Sequence, residues 1–227
     1  MVNTKLKFTV IHPSKTGGSS IHTHLFEKGL YPKGEYLSYS VGKDNILSFQ
    51  SKYFKKHDFL SNRVESLKKI GENPEDYLFI ITTRDPWDMM ISHYFWERKE
   101  ELERKKRQID VLSPDLRVIK SCSDFILNRA ERILEIHYQT IEGFENYKCK
   151  FVRMESQASD LNLIFKHLGV ETSQKVNIVN RNRFYAKNHY NFYSRESALR
   201  VEDICSKLNI DHFKTSGYQF NYTQLKN

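Results

Sequence analysis

Lys7-Phe8-Thr9-Val10-Ile11-His12-Pro13-Ser14-Lys15-Thr16-Gly17-Gly18-Ser19-Ser20 is the stretch from which the rest of the chain is read. Lys7 to Ile11 alternate and are β-prone, which predicts a first strand. His12 to Ser20 form a turn rich in small residues. From about Ser19 a helix is predicted, with Ile21, Leu25 and Lys28 along one face and Gly29 as its stop. A loop that leaves a strand and opens a helix is a natural anion site, because the free backbone N–H groups and the positive helix end face the same point. Lys15, Thr16, Ser19 and Ser20 add side-chain donors, and Gly17 and Gly18 let the backbone come close to a ligand. The pattern is not a Walker A loop, which places its Lys after the second Gly; Lys15 precedes both glycines. An ordinary Gly-rich turn before a helix is the plainer alternative.

Further along, Tyr77-Leu-Phe-Ile-Ile-Thr-Thr83 is a continuous apolar, β-rich run, as expected of a strand buried on both faces of a parallel sheet. Arg84 follows it. Asp85 then suits an N-cap and Pro86 the first helical turn of a helix predicted to run from Trp87 to about Gln108. Its charged part after Trp96 reads as a solvated face. Cys149–Met154 reads as a third parallel strand, with Ser159–Leu168 as its helix and Gly169 closing it. Other helices are predicted over Asn62–Ile70, over Ser123–Leu134 and from a cap at Ser194 through Leu208. Tyr31–Lys56 reads as irregular, with a short strand near Ile46–Phe49, and the aromatic tail from Gly217 as packed on the body. Strands alternating with helices predict an α/β fold in three layers, a central parallel sheet with helices on both faces. At 227 residues, a single domain spanning 1–227 is expected.

The composition is that of a globular protein, 39% hydrophobic and 28% charged. The formal charge is +8, from 36 basic and 28 acidic residues, which attracts anions without choosing among nucleotides, acidic glycans, nucleic acid and lipid. Cys122, Cys149 and Cys205 lie far apart with no C-x-x-C spacing, so reduced, largely buried thiols and a cytoplasmic location are expected. The first residues do not read as a signal peptide, and no run approaches the ~18 apolar residues of a membrane span.

At the end of the second strand, Arg84 stands where open α/β sheets meet ligands, and its guanidinium can fork onto a phosphate. Ser92, two turns into the following helix, can add a hydroxyl. A structural cap in which Arg84 pairs with Asp85 or Asp88 is the alternative. A site that moves a proton near neutral pH is suited by a His. His57 stands just before the helix at Asn62, where a surface role is the plain reading, and His12 stands at the tip of the first strand, where it can orient the loop. His22 and His24 are two apart on a helix and face different ways, a poor metal pair.

Ser-Lys-Thr-Gly-Gly-Ser-Ser resembles the 5'-phosphosulfate loop of sulfotransferases that use 3'-phosphoadenosine 5'-phosphosulfate (PAPS), commonly Pro-Lys-Thr-Gly-Gly-Thr-Ser in the Golgi-type carbohydrate branch, the heparan sulfate 2-O-like enzymes. Ser14 stands where that family places Pro. Arg84-Asp-Pro-Trp-Asp with Ser92 resembles the family's 3'-phosphate motif, an Arg-(Asn/Asp)-Pro with Ser eight residues after the Arg. The segment around His57 resembles the one that carries the catalytic base, which makes His57 the first candidate for that role and His12 the second. Phe151–Glu155, Asn177–Arg183 and the closing Gly-Tyr-Gln-Phe resemble later parts of the family, so the likeness covers most of the chain. The resemblance implies a P-loop-NTPase-like sulfotransferase fold and PAPS as co-substrate with no metal. It gives Lys15 and His57 catalytic roles and places Thr16, Gly17, Gly18, Ser19, Ser20, Arg84, Ser92 and Arg181 on the nucleotide. It implies an acceptor hydroxyl on a carbohydrate and no nucleic-acid partner. A P-loop-like nucleotide kinase or NTPase and a non-catalytic polyanion binder are the alternatives. Oligomeric state leaves no mark in the sequence.

Overall fold

The computed structural model describes residues 2–30, 38–41, 47–50, 57–98, 116–170, 189–208 and 218–225. These divide into two compact units, residues 1–84 with 139–180 and residues 85–138 with 181–227.

The first unit is α/β. Its sheet is ordered β1 (Val2–Asn3), β2 (Phe8–Ile11), β5 (Leu78–Thr83), β6 (Lys148–Arg153), with β1 antiparallel to β2 and the other pairs parallel. A separate antiparallel pair joins β3 (Ser38–Val41) to β4 (Leu47–Gln50). The expected strands at Lys7, Tyr77 and Cys149 are present within a residue of their predicted starts. β1 was not foreseen, and neither was β3. Two residues carry too little pattern to announce a strand, and Asn3 holds β1 through its side chain, donating to the Leu30 carbonyl at 2.6 Å and accepting from the Leu6 amide at 2.8 Å.

Every residue of β5 is buried, and its side chains alternate between two apolar clusters. Leu78 and Ile80 join Phe8, Val10 and Val152 beneath α1 (Gly18–Glu27) and the helix Gln157–His167. Tyr77, Phe79 and Ile81 join Ile11, α2 (Leu60–Lys69) and Ile141. Each fully buried side chain of this size contributes roughly 1.5–3 kcal/mol, so β5 is the strand on which both clusters are built. β6 differs: Lys148, Lys150 and Arg153 are exposed, alternating with the half-buried Cys149 and Phe151 and the buried Val152. Its parallel register sets Thr82 against Val152 and Thr83 against Arg153. The register of β2 with β5 sets Ile11 against Ile81. The residues after Ile11, Thr83 and Arg153 therefore emerge at one edge of the sheet.

The second unit is helical in its described residues. It contains α3 (Pro86–Glu97), most of α4 (Leu116–Ile141) and the last helix (Arg195–Lys207), here α6, so that Gln157–His167 is α5. Asp85 caps α3 by accepting from the Asp88 amide at 2.9 Å, with Pro86 at the first turn as expected. α3 ends at Glu97 with Arg98 as its C-cap, and the rest of the stretch predicted through Gln108 falls among residues that are not described. Residues 99–115 lie outside the described set. α4 is longer than the predicted Ser123–Leu134 at both ends. Ser194 caps α6 in a reciprocal box with Ser197, as its sequence suggested. The core gathers Trp87, Met90, Phe95, Ile126, Phe192 and Val201, and Phe220 of the aromatic tail packs on Trp87 at 5.3 Å between ring centroids. Trp87 Nε1 donates to the Ala198 carbonyl at 3.1 Å, and the Tyr193 hydroxyl donates to the Trp87 carbonyl at 2.8 Å.

All three cysteines are free thiols. Cys122 is buried, while Cys149 and Cys205 are only half-buried; burial pushes those last two up to about 12. Among the described residues no helix is long and apolar enough to cross a membrane.

Phe79→Ala should lower unfolding free energy by about 3–5 kcal/mol in urea titrations, because it empties the centre of one cluster. His137 in α4 is buried, and that desolvation pushes its imidazole down from 6.5 to about 4. The unfolded chain takes up that proton first, so the contribution is complete above about pH 6.5 and is lost as pH falls toward 4. The urea midpoint should fall across that window, and His137→Leu should make the fall shallower.

Candidate functional site

The loop between β2 and α1 is held from several sides, all within the first unit. Thr16 is buried, and its hydroxyl donates to the Pro13 carbonyl at 2.7 Å. That hydroxyl also meets the hydroxyl of Thr82 at the end of β5. A carbonyl only accepts, so the Thr16 proton goes to Pro13 and Thr82 is the donor between the two hydroxyls. Arg84 Nη1 donates to the Lys15 carbonyl at 3.0 Å, and Gln157 Nε2, at the start of α5, donates to the Gly17 carbonyl at 3.1 Å. Lys15 has a left-handed backbone, φ 66°, which costs a non-glycine residue roughly 1–2 kcal/mol. The Arg84 bond falls on the carbonyl of that same residue and holds it there.

The two glycines have different tasks. Gly17 is the left-handed N-cap of α1, φ 81°, and a Cβ there would lie 2.2 Å from the Met154 sulfur. Gly18 is buried under the His12 ring, where a Cβ would lie 2.2 Å from ring carbons. Both are therefore required by the protein's own packing, in addition to the close approach to a ligand that the sequence suggested.

The electrostatics favour an anion. No side chain caps α1, and its first turn has no acidic residue. The first-turn amides and the half-buried Lys15, Gly17 and Ser19 line the same short stretch, with Thr16, Gly18 and Ser20 buried behind them. The turn that supplies Met154 and Gln157 is itself locked: Asp160 takes Arg153 through Nε and Nη2, both at 3.2 Å, the Arg153 amide at 2.9 Å and the Ser156 hydroxyl at 2.9 Å. Burial pushes the Asp160 carboxyl up, but these hydrogen bonds outweigh it and leave it below the ordinary value.

Beside the loop stand three histidines. His12 and His22 are buried, with His22 Nε2 and His12 Nδ1 2.7 Å apart. The exposed His57 sets its ring against that of His12, centroids 4.4 Å apart at 66°, and its Nδ1 lies 3.3 Å from the His12 carbonyl. His24 faces away, stacked at 6.0 Å on Phe165, and burial lowers its pKa. Among the described residues no group of three or more His, Cys, Asp or Glu is arranged to hold a metal ion.

Lys15, Thr16, Gly17, Gly18, Ser19, Ser20, His57, His12 and Arg84 thus belong to one edge of one sheet. Ser92 lies half-buried in α3 of the second unit, and Arg181 lies outside the described residues. Asp85, offered as a partner for Arg84, accepts from the Asp88 amide as the α3 cap. Sequence reasoning missed Thr82, Met154, Gln157 and the His12–His22 bond. The first three reach the loop from other strands, and nothing local announces them; the i, i+10 pair of histidines bracketing the loop was the one visible signal. No protein-family model matches the chain, and no curated protein sequence matches it.

Gly18→Ala should cost about 1–3 kcal/mol by overpacking against the His12 ring. His12→Ala added to it should recover part of that loss in urea denaturation, a coupling that independent sites would not give.

Proposed function

We propose that the chain is a PAPS-dependent sulfotransferase, on a three-layer, P-loop-like sulfotransferase fold, that transfers a sulfuryl group to a hydroxyl, with a carbohydrate as acceptor. The observation that carries this reading is the convergence of the two motif loops. β2 and β5 are parallel neighbours, their loops leave the same edge, and Arg84 reaches the backbone of Lys15 at 3.0 Å. Two anion-binding groups separated by 69 positions in sequence are thereby available to one doubly phosphorylated nucleotide.

The loop amides and Lys15 bind the 5'-phosphosulfate, and Arg84 takes the 3'-phosphate. The acceptor oxygen attacks sulfur in line with the bridging oxygen. A new O–S bond forms, the S–O bond to the 5'-phosphate breaks, and PAP leaves. Such transfers have loose transition states, so positioning and charge supply most of the catalysis. Lys15 stabilises charge growing on the bridging oxygen. His57 takes the acceptor proton: donation from its Nδ1 to the His12 carbonyl leaves the lone pair on Nε2.

Calorimetry should show PAP binding more tightly than ATP with magnesium. Labelled-sulfate transfer over a panel of glycan acceptors should show turnover. Lys15→Ala and His57→Ala should each lower kcat by about 100-fold or more, His57→Ala with PAP affinity retained. Arg84→Ala should weaken PAP by about 10-fold or more. Magnesium-dependent ATP turnover, salt-sensitive polyanion binding without PAP affinity, or an unchanged rate in Lys15→Ala would each reject the reading.

A further inference from the structure

His12 touches His57 twice, once with its backbone carbonyl and once with its ring. That ring is 2% exposed, is bonded to the 2% exposed His22 through Nδ1, and lies on Gly18, where not even a Cβ would fit. Rotation of the His12 ring breaks the His22 bond, and displacement toward α1 meets the Gly18 backbone. A buried imidazole so tightly held does not suit a group that must exchange protons with an acceptor. It does suit a wall. His57, by contrast, is exposed and rests against that wall.

We infer that His12 and His22 are positioning residues, a buried pair that seats His57 with its proton on Nδ1 and its basic lone pair on Nε2. The inference deepens the sulfuryl-transfer reading and rests on it for its catalytic consequence. Its chemistry is that of a base oriented by another group, in which a wrong tautomer is costly even when the geometry is nearly intact. A neutral imidazole free in water prefers the opposite tautomer, with the proton on Nε2, so the seat has an identifiable effect. His57 with Nε2 protonated could not take the acceptor proton at that atom.

The test uses the full chain with 15N-labelled histidine, whose long-range couplings report the tautomer of each ring. In the wild type, His57 should be the Nδ1–H form; a predominant Nε2–H form overturns the inference without any variant. His22→Phe keeps a ring but removes the bond to His12. It should shift His57 toward Nε2–H and lower kcat by about 10-fold, with PAP affinity changed less than about twofold. His22→Gln, whose amide can stand where Nε2 stood, should restore most of both. An unmoved tautomer in His22→Phe, a PAP affinity that falls as far as kcat, or a Gln variant as impaired as the Phe variant would overturn it. The two readings fail separately. A tautomer shift in a protein that transfers no sulfate keeps the histidine seat and rejects the sulfotransferase. Sulfate transfer with an unmoved tautomer does the reverse.

Discussion

Beneath the loop, the hydroxyls of Thr16 and Thr82 meet in a place that water does not reach. Thr16 has the Pro13 carbonyl for its proton, whereas the Thr82 hydroxyl depends on Thr16 as its acceptor; a buried hydroxyl left without a partner costs about 1–3 kcal/mol. Thr82 is in place only when β5 lies in its parallel register beside β2. The loop's shape is therefore tied to the pairing of two strands whose residues are more than sixty positions apart in sequence. A one-residue slip of β5 would send Thr82 to the opposite face and expose the Leu78 and Ile80 set to the wrong cluster.

The remaining restraints follow the same logic of one loop answered by three strand ends. β2 delivers it, β5 supplies Thr82 and Arg84, and the turn after β6 supplies Met154 and Gln157. The Lys15 carbonyl accepts from Arg84, and the Gly17 carbonyl accepts from Gln157 as well as from the Ser20 and Ile21 amides. A left-handed lysine is tolerable in such a frame because its conformation is determined by its neighbours rather than by its own preference. Rigidity at this point has a chemical use, since donors fixed before a ligand arrives need no reorganisation when charge develops.

The parts of this arrangement that were legible in the sequence are those with local patterns. The buried run at Tyr77–Thr83, the Asp85-Pro86 start of α3, the Ser194 cap and the strand–loop–helix at Phe8–Glu27 each declare themselves within one short contiguous stretch. α4 runs past Ser123–Leu134 at both ends, through turns that hold no Gly or Pro to mark a boundary. The charged run after Arg98 that the α3 prediction included lies outside the described residues. The site divides in the same way. Lys15, the glycines and Arg84 are visible as motifs, whereas the side chains that shape the loop are contributed from 66 to 140 positions away. Only the folded register brings them together. The glycine pair illustrates the difference: its composition suggested access for a ligand, and its coordinates add a seat for His12 and for Met154.

The lysines of β6 bear on how the protein behaves when crowded. Among the described strands β6 has a partner on one side only, and Lys148, Lys150 and Arg153 are exposed along it. A bare strand edge is a template on which another chain can polymerise. Two copies approaching edge to edge through β6 would each bring the Lys148 and Lys150 charges into the contact, Arg153 being paired with Asp160, and the repulsion and desolvation would make continued stacking unfavourable. The most solvated strand of the sheet thereby keeps neighbouring molecules from adding to it.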